Sequence, residues 1–418
     1  MVWKSSLLWM LSATLALAPA GALHAQDLVL LNATLIDGTG ASPREGVTIV
    51  VRGDQIAELT AEPRDGAEII DLKGRFVLPG LIDAHTHILS PDAAERALLS
   101  GVTTARVPGD RYLRGMGTRD LIRGGYVRGP ELLCSGGIVR PVLGEFFITP
   151  FPELGRYLNE RLTGAENVSA VVRALLERGA DVIKVGASER AGLSTTEPRR
   201  QELTEEEIEA AVRAAAAEGK FVAAHAHAEV GAEGAVRAGV RSIEHGTYMN
   251  DRTLELMKDK GTYLVPTLAV MSPLSDPQSD SANDIALRIR TWHMQTALRE
   301  VVRKAHRMGI PIAASTDGSY GDGGGTARVR IQHDMEELMA IGMSPLEAIT
   351  AATWTGAQLL GVSERTGRIG VGLEADLIVL DRDPLADFRV VYEPLIIVNN
   401  GEVVLNRYYP NPYDEEQR

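Results

Sequence analysis

Six side chains able to ligate metal recur along the chain: His85, His87, Lys184, His225, His245 and Asp317. His85 and His87 form an H-x-H pair within Leu78-Pro-Gly-Leu-Ile-Asp-Ala-His-Thr-His87. Residues i and i+2 of a β-strand share a face. Asp83, His85 and His87 therefore point one way, and two imidazoles there can grip one divalent ion. Imidazole and carboxylate are both zinc ligands. An H-x-H pair is weak by itself; its weight comes from the four downstream residues, each at the end of a predicted strand. In Ala224-His-Ala-His227 both rings share a face, so one can serve as ligand while the other meets substrate. Asp83 reads as structural. Glu244, one residue off the His245 face, reads as a packing or supporting acid. His293, His306 and His333 fall on predicted helices, where packing and solvent-facing roles prevail.

The elements that must position these residues alternate short apolar strands with helices. Strands are predicted at 81–87, 102–107, 131–135, 181–185, 221–225, 241–245, 262–268 and 311–316. Eight strands with helices between them predict a (β/α)8 barrel over residues 79–365. In that fold active sites lie at the carboxyl ends of the strands. The six residues fall at the ends of strands one, four, five, six and eight, so positions far apart in sequence converge on one mouth. Thr204 with Glu207, and Ser344 with Pro345 and Glu347, carry capping-box signals for two of the helices. The stretches 136–152 and 322–325, rich in glycine, predict loops at the same mouth. Residues 27–78 and 366–407 are β-rich, and Asn400-Gly401 between apolar runs predicts a hairpin. Together they predict a small discontinuous β-sandwich domain.

Composition excludes some partners. A formal charge of −13 disfavours nucleic acid and anionic membrane surfaces; a small-molecule substrate fits better, and a homo-oligomer stays open. Residues 1–25, with Lys4 before an apolar run too short for a comfortable span, read as a signal peptide and predict export to the periplasm or medium. Cys134 is the only cysteine, so no internal disulfide is available.

These residues resemble the amidohydrolase superfamily, near imidazolonepropionase and the prolidase-like metal-dependent hydrolases. The resemblance is carried by the H-x-H stretch, Val182-Ile-Lys-Val185, Ala224-His-Ala-His227, Ser242-Ile-Glu-His-Gly246, Ser315-Thr-Asp317 and Gly370-Val-Gly-Leu-Glu-Ala-Asp-Leu-Ile-Val-Leu380. It implies two divalent ions, usually Zn2+: one held by His85, His87 and Asp317, the other by His225 and His245. Lys184, carboxylated by CO2 to a carbamate, would bridge them. A lysine is chemically suited because burial lowers its pKa and a neutral amine captures CO2. The implied reaction is attack of a metal-bridging hydroxide on a C–N bond, with Asp317 as the catalytic proton carrier. N-acyl amino acids, dipeptides and cyclic amides are the implied substrates. The rivals are a lactonase or phosphotriesterase on the same site, a single-ion site, and a non-catalytic scaffold. One departure stands out: many prolidase-like relatives carry a histidine after the third strand, where this chain has Ser135-Gly-Gly-Ile-Val-Arg-Pro141. Arg140 and His227 are the candidate substrate contacts.

Overall fold

The computed structural model describes residues 27–60, 68–275, 284–321 and 328–408. The signal-peptide segment 1–25 and the glycine run at 322–325 lie outside these residues. The chain opens with β1 (Leu28–Leu35), β2 (Arg44–Arg52), β3 (Gln55–Thr60), β4 (Glu68–Asp71) and β5 (Phe76–Pro79). The middle supplies β6 (Leu81–Asp83), β7 (Val102–Val107), β8 (Glu131–Cys134), β9 (Ile138–Val139), β10 (Ile183–Gly186), β11 (Val222–Ala226), β12 (Ser242–His245) and β13 (Tyr263–Val265). β14 (Leu377–Leu380), β15 (Ile396–Asn399) and β16 (Glu402–Asn406) follow. Among the described residues no helix is long and apolar enough to cross a membrane.

The terminal strands form one sheet, ordered β16-β15-β14-β5-β1-β2-β3 with β4 beside β1. A sandwich of two sheets, expected from the sequence, is therefore replaced by a single sheet that curls on itself. The reason is that β5 pairs with β1 on one side and β14 on the other, so the two ends of the chain join through backbone hydrogen bonds. The curl is sealed where Ala375 N donates to Asp54 O and Ile56 N to Leu373 O, both at 2.8 Å. Gly401, with φ +78, sits so close to Gly53 that a Cβ would lie 1.8 Å from its carbonyl oxygen. Only glycine fits there. Leu30, Ile49, Val51, Val77, Leu377, Val379 and Val398 meet in the core this sheet encloses.

The middle strands are parallel and α/β in character, but they fall into two sheets, β6-β7-β8 and β13-β12-β11-β10-β9. Among the described residues no single eight-stranded ring is hydrogen-bonded throughout. The segment expected as the eighth strand, 311–316, keeps one bridge, Ile312 to Leu264. Buried carboxylates have taken its amides: Ser315 N donates to Asp334 Oδ2 at 2.9 Å and Thr316 N to Asp83 Oδ1 at 3.1 Å. It still lies between the sheets, since Ala313 N donates to Leu264 O at 3.0 Å and Ala84 N to Ala314 O at 3.1 Å. The first predicted strand, 81–87, likewise stops at Asp83, whose carboxylate accepts from His85 N at 3.2 Å. The third breaks after Cys134 and resumes as β9 in the other sheet. The capping signals hold in the structure: Thr204 and Glu207 form a capping box on helix Glu205–Ala217, and Ser344 does so with Glu347 on Pro345–Ala351.

Candidate metal centre and active site

His85 and His87 lie just past β6, and both rings face Asp317. His87 Nε2 is 2.9 Å and His85 Nε2 is 3.4 Å from Asp317 Oδ1. His87 Nδ1 lies 2.9 Å from the Gly109 carbonyl, an acceptor only, so Nδ1 carries the hydrogen and Nε2 presents a lone pair. His85 is fixed the same way by Glu244, whose Oε2 is 2.7 Å from Nδ1. Two imidazole lone pairs thus converge on a carboxylate oxygen. Such a cluster of acceptors needs a cation or a proton among them, and the donor set suits a divalent ion.

A second group of donors lies beside the first. His225 and His227 stand at the end of β11 and His245 at the end of β12, with ring centroids 4.6–4.8 Å apart. Each of the two groups, His85 with His87 and Asp317, and His225 with His227 and His245, brings its ligand atoms within 4.8 Å of one another. The groups adjoin, since the His85 and His245 rings are 5.4 Å apart. His227 is therefore as well placed as its neighbours to donate, and its Nδ1 lies 2.8 Å from Thr247 Oγ1. Burial pulls these rings down, to about 4 for His85 and about 3 for His227, and well below the usual value for His225 and His245. They are neutral near pH 7 and keep lone pairs to donate. Burial also lowers His87, but the Asp317 carboxylate and Gly109 carbonyl more than offset it.

Lys184 lies on β10 and is 1% exposed, and its Nζ has no hydrogen-bond partner. The nearest acid, Glu244 Oε2, is 3.7 Å away, too long for a hydrogen bond. Burial draws the amine down to about 8, with Arg106 adding to the effect and Glu244 opposing it. A buried amine beside two donor clusters, with one distant ion-pair contact to Glu244 and no hydrogen bond, has room for a further partner.

Beneath the donors runs a network whose acids the sequence showed and whose partners it did not. Arg106 and Glu244 are fully buried. Arg106 reaches both Glu244 oxygens at 2.8 Å and the Ala84 carbonyl at 2.6 Å, and Ser242 Oγ donates to Glu244 Oε1 at 2.5 Å. Glu244 reads from the sequence as a packing or supporting acid; its partner on β7, the one charged residue of that strand, is the available signal. Asp83, read as structural, accepts from Thr316 Oγ1 at 2.7 Å and from Tyr320 OH at 2.9 Å. Asp317, His245 and Thr267, whose Oγ1 is 2.8 Å from His245 Nδ1, have φ of +51, +70 and +52. Such left-handed backbone costs about 1–3 kcal/mol per residue and clusters at functional sites.

All six ligand-type residues line one cavity of about 210 Å³, together with His227, Arg140, Arg190, Ile138, Val270, Met271 and Met294. Arg140, a candidate substrate contact from the sequence, is paired here: its Nη2 lies 2.5 Å from Glu202 Oε2. The loop after β10 that carries Arg190 is pinned by Arg290, which donates to the carbonyls of Ala191, Leu193, Ser194 and Thr196 at 2.6–3.3 Å. Replacing Arg290 with Ala is expected to cost about 1–2 kcal/mol and to open residues 190–200 to limited proteolysis. An unchanged cleavage pattern would show that the loop stands without the clamp. His293, His306 and His333 lie on helices and do not line this cavity.

Comparison with known proteins agrees with this geometry. The amidohydrolase family pattern matches residues 76–404. Ochratoxinase of Aspergillus niger is 31% identical over 364 residues, covering 77% of this chain and 74% of its own. Imidazolonepropionase of Chromobacterium violaceum is 25% identical over 378 residues, covering 81% and 86%. The crystal structure of an Xaa-Pro dipeptidase with bound methionine superposes with a TM-score of 0.81 at 27% identity, covering 91% of this chain and all of that one. The chain belongs to the amidohydrolase family, and it is a hydrolase acting on carbon–nitrogen bonds.

Proposed function

We propose that the protein is an exported hydrolase of amides in which the two donor groups hold two divalent ions, most simply Zn2+. The two parallel sheets, with residues 311–317 between them, act as a (β/α)8 barrel whose mouth is the cavity. His85, His87 and Asp317 would hold one ion and His225 and His245 the other, with Lys184 bridging as a carbamate and His227 turned to substrate. The observation that carries this reading is Lys184: a buried amine without a hydrogen-bond partner, lined up with both groups in one cavity. An ammonium there would repel the cations, whereas a carbamate supplies an anion.

When bound, the ions supply Lewis acidity, which acidifies water and polarises a carbonyl. The chain's own residues do the rest. Glu244 and Gly109 hold His85 and His87 in the tautomers that keep Nε2 free. Asp317, ionised and facing the cavity, takes the proton of the attacking water and passes it to the leaving nitrogen. The apolar wall of Ile138, Val270, Met271 and Met294 limits bulk water and receives an apolar group. N-acyl amino acids and dipeptides fit this wall.

Lys184→Ala tests the reading. The variant should lose most of its metal by elemental analysis and all turnover, with partial rescue of both by formate or acetate. Full metal content at full rate would refute the bridge. A panel of N-acyl amino acids, dipeptides, lactones and phosphotriesters on the wild type should return the amides; turnover of only the esters would transfer the site to C–O or P–O chemistry.

A further inference from the structure

The cavity has a cationic stretch that metal chemistry does not use. Arg140, directly after β9, and Arg190, in the loop after β10, both line it. Arg140 is 7% exposed; one nitrogen is paired with Glu202, while its Nε has no partner. Gly186 makes room for that pair, since a Cβ there would lie 2.5 Å from Glu202 Oε2 and 3.3 Å from Arg140 Cβ. Arg190 is half-buried, and its guanidinium makes no hydrogen bond or ion pair among the described residues. Burial and the like charges of Arg140 and Arg111 lower its pKa, and only Glu202, already held by Arg140, opposes them. Arginine remains charged regardless.

Two guanidinia thus line the cavity with a single carboxylate, Glu202, acting on both, in a protein whose net charge is −13. A partly buried cation without a partner is costly unless an anion meets it in the working state. The loop that presents Arg190 is also built to stay put. Arg290 holds four of its carbonyls, Thr196 Oγ1 donates to the Arg190 carbonyl at 2.6 Å, and Arg200 pairs with Glu189 at 2.9 Å. A cation held in advance loses little freedom on binding. A planar guanidinium matches the two oxygens of a carboxylate. The adjacent apolar wall of Met294, Met271, Val270 and Ile138 would take a side chain.

We propose that Arg190, backed by the Arg140–Glu202 pair, is a carboxylate-binding subsite, so that the substrate is an N-acyl amino acid or dipeptide with a free carboxylate beside the scissile amide and an apolar side chain. This rests on the reading of the cavity as the place where the C–N bond is cleaved. It selects one substrate class among amides, and it excludes neutral amides and ureas as good substrates.

The experiment compares N-acetyl-L-methionine with N-acetyl-L-methioninamide on the metal-loaded enzyme, by calorimetric binding and by turnover. The wild type should bind the acid about 100-fold more tightly than the amide, with the same preference in kcat/KM. Arg190→Gln should erase that preference mainly through KM, with unchanged metal content, and Arg190→Lys should restore part of it. Equal binding of acid and amide by the wild type, or an undiminished preference in Arg190→Gln, would overturn the subsite. The function itself fails separately, if carboxylate-dependent binding is present and no amide of any class is turned over.

Discussion

Asp317→Asn is expected to lower kcat by about 10³–10⁴-fold while leaving metal content near that of the wild type. Asparagine keeps the volume and an acceptor oxygen, and it tolerates the left-handed backbone at this position. The amide that donates to the His85 carbonyl at 2.7 Å is also untouched. What disappears is a carboxylate able to carry a proton. Burial pushes that carboxylate up, but His85, His87 and His245 together hold it well below the usual range. It is therefore ionised and ready at neutral pH. Rapid single-turnover measurements on a cleaved amide, paired with elemental analysis, separate this role from ligation alone. A variant with normal metal that retained a tenth of the rate would remove Asp317 from proton transfer. One that lost both metal and rate would leave it a ligand only.

Glu244→Gln and Arg106→Ala are expected to have the largest effect on stability, about 3–5 kcal/mol each, because each strands one charge of a fully buried pair. The consequence reaches the site through His85, whose Nδ1 faces Glu244 Oε2. A glutamine can turn its NH2 toward that nitrogen and so reverse the tautomer, which places the hydrogen where the lone pair is needed. Metal affinity should fall about 10–100-fold, and the histidine nitrogen shifts in a heteronuclear NMR spectrum should report the switch. Acid dependence gives a second reading. Burial alone would raise Glu244, but Arg106, Lys184 and His85 hold it well below its ordinary 4.5. A depressed folded pKa contributes stability that is complete above the unfolded value and declines as pH falls through the folded one. Melts of metal-free wild type and Glu244→Gln should therefore differ most above pH 5 and converge in stronger acid. A gap that stayed constant down to pH 2 would show that the charge of Glu244 is not what stabilises this core.

The gathering of these residues was legible because they have chemistry that few other roles require, and because each stands at the end of a segment whose apolar pattern predicts a strand. His85, His87, Lys184, His225, His245 and Asp317 could be drawn together from far apart on that basis, and the cavity contains all of them. What stayed hidden depends on contacts between distant segments. Residues 311–316 look like a strand, yet Asp83 and Asp334 take the amides that a ladder would use. Glu244 reads as a packing or supporting acid with no stated partner because that partner, Arg106, lies well over a hundred residues earlier. Arg190 carried no signal, since the loop that presents it is shaped by Arg290 from a helix much further along. The terminal β-segments were visible as strands, but pattern alone does not distinguish two packed sheets from one curled sheet. Only the pairing of β5 with both β1 and β14 decides that.

That pairing has a consequence for how the protein is made. β5 leads directly into the H-x-H segment, and its second neighbour, β14, is synthesised some three hundred residues later. During translation the nascent chain must therefore carry an open strand edge next to His85 and His87 until the carboxyl-terminal segment emerges. Such an edge invites pairing with other chains. Ribosome-stalled or truncated products ending before Leu377 should accordingly aggregate or recruit chaperones, even though every donor residue of the cavity has already been made.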